Sequence, residues 1–246
     1  MPPSPKVALI TGAATGIGRA CALRFAAQGL AVAINYSRSE AEARETLAAV
    51  ERLGVRAILC QANVADDAAV RAMVARCRDE LGGLDVLVNN AGTTHFIDHA
   101  DLDAVTPEVW DDIFAVNLRG PFQSIRAAVP LLRERKGAIV NVTSVAGLQG
   151  QGSSIPYAAS KAALNTMTKS LARSLAPEIR VNAVAPGPVK TRWLAGREKM
   201  IDRYIDLAPL KRAADPDDIA DAVVFLALGQ SLMTGQILVV DGGRTM

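Results

Sequence analysis

Short apolar runs alternate with helix-length stretches along the whole chain, and this alternation constrains the fold more than any other feature. Val7–Ile10, Ala31–Tyr36, Val55–Cys60, Leu84–Val88, Ala138–Val142, Val181–Val184 and Gln236–Val240 read as strands. They are rich in β-branched and apolar residues and too short for helices. Between them, Gly16–Gly29, Ser39–Leu53, Asp66–Leu81, Pro156–Leu175 and Asp215–Leu228 carry apolar residues at helical spacing. A further long helix starts at Thr106-Pro107-Glu108, with threonine as N-cap, proline in the first turn and an acid near the positive dipole end. Pro121 and Pro130 predict a kink or break in it. Strands alternating with helices imply βαβ units, hence a parallel sheet covered on both faces. Right-handed crossovers then give an α/β, doubly wound, seven-stranded parallel sheet flanked by helices. No repeat or linker divides the 246 residues, so 1–246 is expected to form a single domain.

Composition excludes several other classes. Half of the residues are hydrophobic and 21% are charged, which rules out disorder. The longest clean apolar run, Ala222–Leu228, falls far short of the ~20 residues that span a bilayer. The opening MPPSPKVALI has no charged and apolar leader pattern, so a cytoplasmic protein is expected. Basic and acidic residues number 27 and 25 and are interspersed, so no nucleic-acid face is expected. Cys21, Cys60 and Cys77 have no metal spacing and read as buried or semi-buried thiols. His95 and His99 lack a third ligand, so no metal site is expected.

The turn after the first strand carries three glycines, Gly12, Gly16 and Gly18, and opens a helix. Glycines let the backbone turn tightly and approach a pyrophosphate, which the helix N-terminus attracts. This is the context of a Rossmann-type dinucleotide site. The residue that reads the adenosine ribose is expected ~20 positions on. There the sequence has Ser37 and Arg38 and no acid, which favours a 2′-phosphate and hence NADP over NAD. Tyr157 and Lys161 stand four apart on one helix face, and Ser144 follows the fifth strand. A tyrosine of ordinary pKa near 10 is a weak acid–base catalyst at neutrality. A nearby ammonium is expected to lower it, and a serine hydroxyl can donate to a carbonyl oxygen that gains negative charge. No nucleophile elbow surrounds Ser144, which excludes a serine hydrolase.

Together TGAATGIG at Thr11–Gly18, NNAG at Asn89–Gly92, Asn117, Ser144, YAASK at Tyr157–Lys161, RVNAVAPGPVKT at Arg180–Thr191 and DGG at Asp241–Gly243 resemble the short-chain dehydrogenase/reductase family over nearly the whole chain. The sequence is most similar to its 3-oxoacyl-[acyl-carrier-protein] reductase-like members. The resemblance implies that Tyr157 is the acid/base, that Lys161 lowers its pKa and holds the nicotinamide ribose, and that Ser144 orients substrate. Asn117 would hold a relay water. Gly12, Thr15, Gly16, Ile17 and Gly18 would meet the pyrophosphate, and Asn63 and Val64 would flank the adenine. Asn90, Ala91 and Gly92 would lie along the cofactor, and Pro186, Gly187, Val189 and Thr191 would wrap the nicotinamide. Asn63 departs from the Asp that many relatives carry. The implied activity is reduction of a 3-oxoacyl thioester or related ketone. The alternative is an NAD(P)-dependent dehydrogenase of a secondary alcohol, sugar or sterol. The resemblance also implies a homotetramer; Arg126, Arg133, Arg135 and Arg173 could meet an acidic acyl-carrier protein, but a solvated helix face is the better reading of them. The substrate pocket is expected from Thr93–Phe96, Val145–Ile155 and a lid over about 191–208, whose Trp193 closes over substrate or anchors the lid.

Overall fold

The first strand, β1 (Val7–Ile10), shows why the sheet must be covered twice. Its side chains alternate, so Ala8 and Ile10 enter one apolar layer while Val7 and Leu9 enter the other. All four are fully buried. The computed structural model describes residues 6–246, without the side chains at 198–200 and 203. The reading of Met1–Pro5 as carrying no leader pattern lies outside those residues.

The chain continues through α1 (Gly16–Ala27), β2 (Ala31–Tyr36), α2 (Glu40–Glu51), β3 (Ala57–Gln61), α3 (Asp67–Arg76) and β4 (Val86–Asn89). Next come α4 (Pro107–Phe114), α5 (Gly120–Arg135), β5 (Ala138–Val142), α6 (Ala146–Gln149) and α7 (Ile155–Leu175). β6 (Arg180–Pro186), α8 (Glu198–Leu207), α9 (Pro216–Val224) and β7 (Ile237–Val240) complete it. The seven strands lie in the order β3-β2-β1-β4-β5-β6-β7. Every strand pair is parallel. The strand order reverses between β1 and β4, and a crevice at the carboxyl ends of strands flanking such a reversal is where ligands bind.

One layer packs Phe25 of α1 and Ile219, Val223 and Leu226 of the last helical segment onto the sheet. The other packs Met73, Ile125 and Leu132 of α3 and α5. The three cysteines are buried free thiols, as expected. Burial pushes the Cys21 thiol up to about 12, so it is inert packing.

The long helix differs from expectation. It does not break at either proline. A π turn, Ala115–Arg119, lies between α4 and α5, and the Gly120 N–H bonds the Ala115 carbonyl five residues back. Pro121 has no N–H to offer the Asn117 carbonyl, which is why the ladder widens just ahead of it. Pro130 stays inside α5, which continues to Arg135. Similar π turns end the third helix at Cys77–Leu81 and the last at Phe225–Gly229. Arg180 bonds the Leu226 and Ala227 carbonyls in that last turn at 2.7 and 2.6 Å.

Candidate active site

A single cleft of about 1190 Å³ opens at the carboxyl ends of the strands. Its floor is the turn between β1 and α1. Gly12 and Gly16 have φ of +63° and +56°, a region that glycine enters without strain. Gly18 serves a different purpose. A Cβ there would lie 2.3 Å from the Gly12 carbonyl oxygen, so only glycine lets α1 pack against the turn. Buried polar groups fix the turn from behind. The Asn35 side chain accepts from the Gly12 N–H at 3.1 Å, and Asn90 donates to the Thr11 and Gly12 carbonyls at 2.9 and 3.1 Å. The Thr11 hydroxyl accepts from the N–H groups of Asn90 and Ala91 at 2.9 and 3.0 Å.

Thr15, Gly16 and Ile17 line the cleft, and Gly18 stands behind it. Ser37 and Arg38 line the end beside β2 and are exposed. The Arg38 guanidinium has no ion-pair or hydrogen-bond partner among the described residues. Asn63 and Val64 line the same end, and Asn63 Oδ1 accepts from the Ala65 N–H at 3.0 Å. Asn90, Ala91 and Gly92 form the middle. Pro186, Gly187, Val189 and Thr191 form the far wall. A glycine turn, a helix N-terminus and an unpaired guanidinium at the ribose end together fit a phosphorylated dinucleotide.

Ser144, Tyr157 and Lys161 share the cleft with these residues. Ser154 N-caps α7 by accepting from the Tyr157 N–H at 3.4 Å, so the helix begins just where the tyrosine is needed. The Ser144 hydroxyl also accepts from the Ala146 N–H at 3.1 Å, which fixes its side chain. Burial pushes the Tyr157 phenol up to about 12, and its hydrogen bond with Ser144 opposes this. Burial also pulls the Lys161 ammonium down to about 8. Lys161 Nζ donates to the Val142 carbonyl at 3.0 Å and lies 5.8 Å from the Tyr157 ring centroid. The ammonium is held on β5, and desolvation dominates both groups.

Asn117 is held tightly within the protein. It is fully buried, and its side chain is fully engaged within the protein. Oδ1 accepts from the Thr93 N–H at 2.8 Å, and Nδ2 donates to the Thr93 carbonyl and the Ser160 hydroxyl at 3.0 and 3.1 Å. The side-chain amide thus braces the loop after β4 against α7. Beneath it, Asn89 donates to Asn141 and Asn141 to Thr168, each at 2.9 Å.

The substrate side holds residues that local reading misses. Thr191 begins a short 3-10 turn, Arg192–Leu194, followed by α8. Arg192 reaches across the cleft mouth to Glu42 at 3.1 Å and Ser39 at 2.9 Å on α2. Trp193 stacks obliquely on Tyr157 at 6.0 Å between centroids. Arg197 lies over the Phe96 ring at 3.5 Å. His95 pairs with Asp112 at 2.9 Å. Among the described residues no cluster of three metal-ligating side chains exists.

The profile of a family described as Enoyl-(Acyl carrier protein) reductase matches residues 12–245. A 3-oxoacyl-[acyl-carrier-protein] reductase FabG of Staphylococcus aureus is 42% identical over 98% of this chain and 98% of its own. The Synechocystis 3-oxoacyl-[acyl-carrier-protein] reductase is 38% identical over 98% of this chain and 97% of its own. Among solved structures, a 3-oxoacyl-[acyl-carrier protein] reductase from Brucella melitensis superposes with a TM-score of 0.88 at 36% identity. That match covers 98% of this chain and 91% of the other. With its strand order, its glycine turn and these relatives, the chain belongs to the short-chain dehydrogenase/reductase family and is an oxidoreductase.

Proposed function

We propose that the protein is an NADP(H)-dependent reductase of a 3-oxoacyl thioester or related ketone. The observation that carries this reading is the sharing of one cleft by Tyr157, Lys161 and Ser144 with the glycine turn and the unpaired Arg38. When bound, the nicotinamide supplies the hydride. Tyr157 donates its phenolic proton to the carbonyl oxygen, and Ser144 donates a hydrogen bond to the same oxygen as charge develops on it. Lys161, with its ammonium drawn down to about 8, exchanges protons near neutrality and supports the tyrosine electrostatically. Ser37 and Arg38 hold the adenosine 2′-phosphate, and a guanidinium suits that dianion. Gly12, Thr15, Gly16, Ile17 and Gly18 form the pyrophosphate cradle. Asn63 and Val64 flank the adenine, with Asn90, Ala91 and Gly92 along the cofactor and Pro186, Gly187, Val189 and Thr191 around the nicotinamide.

The chain acts as one catalytic domain over 1–246, with about 191–208 as the lid. Two features support further parts of this reading. A groove between α4, α5 and α7, lined by Phe114, Leu118, Phe122 and Met167, supports a homotetramer. No described helix is long and apolar enough to cross a membrane, in keeping with a cytoplasmic location. Relatives that are 3-oxoacyl-[acyl-carrier-protein] reductases favour an acyl-carrier protein as substrate carrier.

The test is NADPH oxidation by the purified protein with 3-oxobutanoyl-N-acetylcysteamine, using Tyr157→Phe as the blank. The reading expects turnover that falls about 10²–10⁴-fold in the variant, the usual contribution of a positioned proton donor. A variant retaining most of the rate overturns the acid/base assignment. No wild-type turnover, with NADPH bound, moves the substrate elsewhere.

A further inference from the structure

Two guanidiniums lining the cleft have no ion-pair partner among the described residues, and only one faces the cofactor's phosphate end. Arg38 follows β2, whereas Arg244 follows a segment that packs against the end of α8 through Tyr204 and Ala208. Arg244 follows the double-glycine turn Gly242-Gly243, whose φ angles are +67° and +84°. The neighbouring carboxylate does not pair with it. Asp241 instead accepts from the Gly243 and Thr245 N–H groups at 2.9 and 2.8 Å. Nor does the nearby phenol accept from it, because the Tyr204 hydroxyl donates to the Asp241 carbonyl at 2.8 Å. Arg244 Nε is buried and has no hydrogen-bond partner. A buried donor on a permanent cation is costly unless an acceptor meets it.

Contacts within the protein put this guanidinium on the substrate side. Gly187 packs under Tyr204 and Asp241, and Pro186 accepts from the Val145 N–H at 3.0 Å, one residue past Ser144. The other charged groups lining the cleft are accounted for. Asp112 pairs with His95, Arg192 pairs with Glu42, and Lys161 bonds the Val142 carbonyl.

We propose that Arg244 is a substrate-recognition residue, and that the substrate bears an oxyanion, a carboxylate or phosphate, apart from the carbonyl that is reduced. The planar fork of the guanidinium binds either group through paired N–H donors. This inference rests on the reductase reading of the same cleft and names its substrate class more narrowly.

The test measures binding to the protein–NADP⁺ complex by calorimetry, using two pairs of ligands that differ only in the anion. Acetoacetate against methyl acetoacetate probes a carboxylate. The 3-oxobutanoyl thioester of 4′-phosphopantetheine against that of pantetheine probes a phosphate. In the wild type, at least one anionic ligand is expected to bind about ten- to a hundredfold tighter than its neutral mate, the worth of a charge-assisted hydrogen bond. Arg244→Met removes that preference, and Arg244→Lys, which keeps the charge and tests whether folding is the issue, retains part of it. The pair that discriminates identifies the source of the anion. Absence of discrimination in both pairs, or its survival in Arg244→Met, overturns the inference. Because the readout is binding, it is independent of the turnover assay: loss of turnover with preserved anion preference defeats the reductase reading alone.

Discussion

The two ends of the cleft are built in different ways. At the cofactor end the main chain itself is the site. Gly12, Gly16 and Gly18 set its path, and Asn35, Thr11 and Asn90 hold it with buried bonds between neighbouring strands. At the substrate end the site is a set of half-exposed side chains from distant segments. Arg192 meets Glu42, Trp193 meets Tyr157 and Arg197 meets Phe96 across loops. The first end is over-determined by packing. The second is held by surface contacts that rearrange at low cost, as a lid that opens and closes requires.

That contrast sets the scale of what each substitution does. The largest effect is expected at Gly18. A valine there meets the Gly12 carbonyl at 2.3 Å and the Ala13 Cα at 2.9 Å, both backbone atoms that cannot step aside. Gly18→Val is expected to lose about 1–3 kcal/mol of stability or more, and NADPH binding with it, as read by denaturant titration and cofactor fluorescence. A variant of unchanged stability would show that the turn is not rigid.

An intermediate effect is expected from pH. Lys161 carries its proton below about 8 and loses it above. On the proposed mechanism, loss of the ammonium removes the charge that supports Tyr157, a phenol that burial pushes up to about 12 against its hydrogen bond with Ser144. The rate of carbonyl reduction is therefore expected to fall about tenfold per pH unit above 8, the slope of a single essential ionisation. A rate flat to pH 10 would remove Lys161 from the proton path.

The smallest effect belongs to the lid. The Arg192–Glu42 pair has side chains 59% and 42% exposed, so screening limits its worth to about 0–1 kcal/mol. Arg192→Ala is expected to leave Tm nearly unchanged and to speed NADPH release modestly, measured by stopped-flow fluorescence. A large loss of stability would make the substrate end as rigid as the cofactor end and erase the distinction.

The same distinction explains what was legible in the sequence. The glycine turn, the Tyr157–Lys161 pair and the alternating strands are local patterns, and each reappears in the fold. Strand ends shift by a residue or two where pairing with the neighbouring strand, not propensity, sets the boundary: β3 runs to Gln61, opposite Tyr36, and β6 to Pro186, opposite Val240. The π turn at Ala115–Arg119 is not legible, because its cause is a missing donor at Pro121, which reads equally well as a helix break. The expected lid, about 191–208, contains α8, a helix that the strand–helix alternation does not call for because no strand directly follows it. The contacts of Asn117 and Arg192 depend on partners far along the chain, Arg192 and Glu42 being 150 positions apart. No local pattern reports such a meeting.

The central claim is that the cleft divides its labour, with cofactor choice at Arg38 and chemistry at Tyr157. The most direct test compares kcat/KM for NADPH and NADH in the wild type and in Arg38→Ala with one ketone substrate. The wild type is expected to prefer NADPH, and Arg38→Ala to lose about ten- to a hundredfold of that preference, chiefly through a higher KM for NADPH. Equal use of both cofactors by the wild type, or a preference that survives the loss of Arg38, would contradict it.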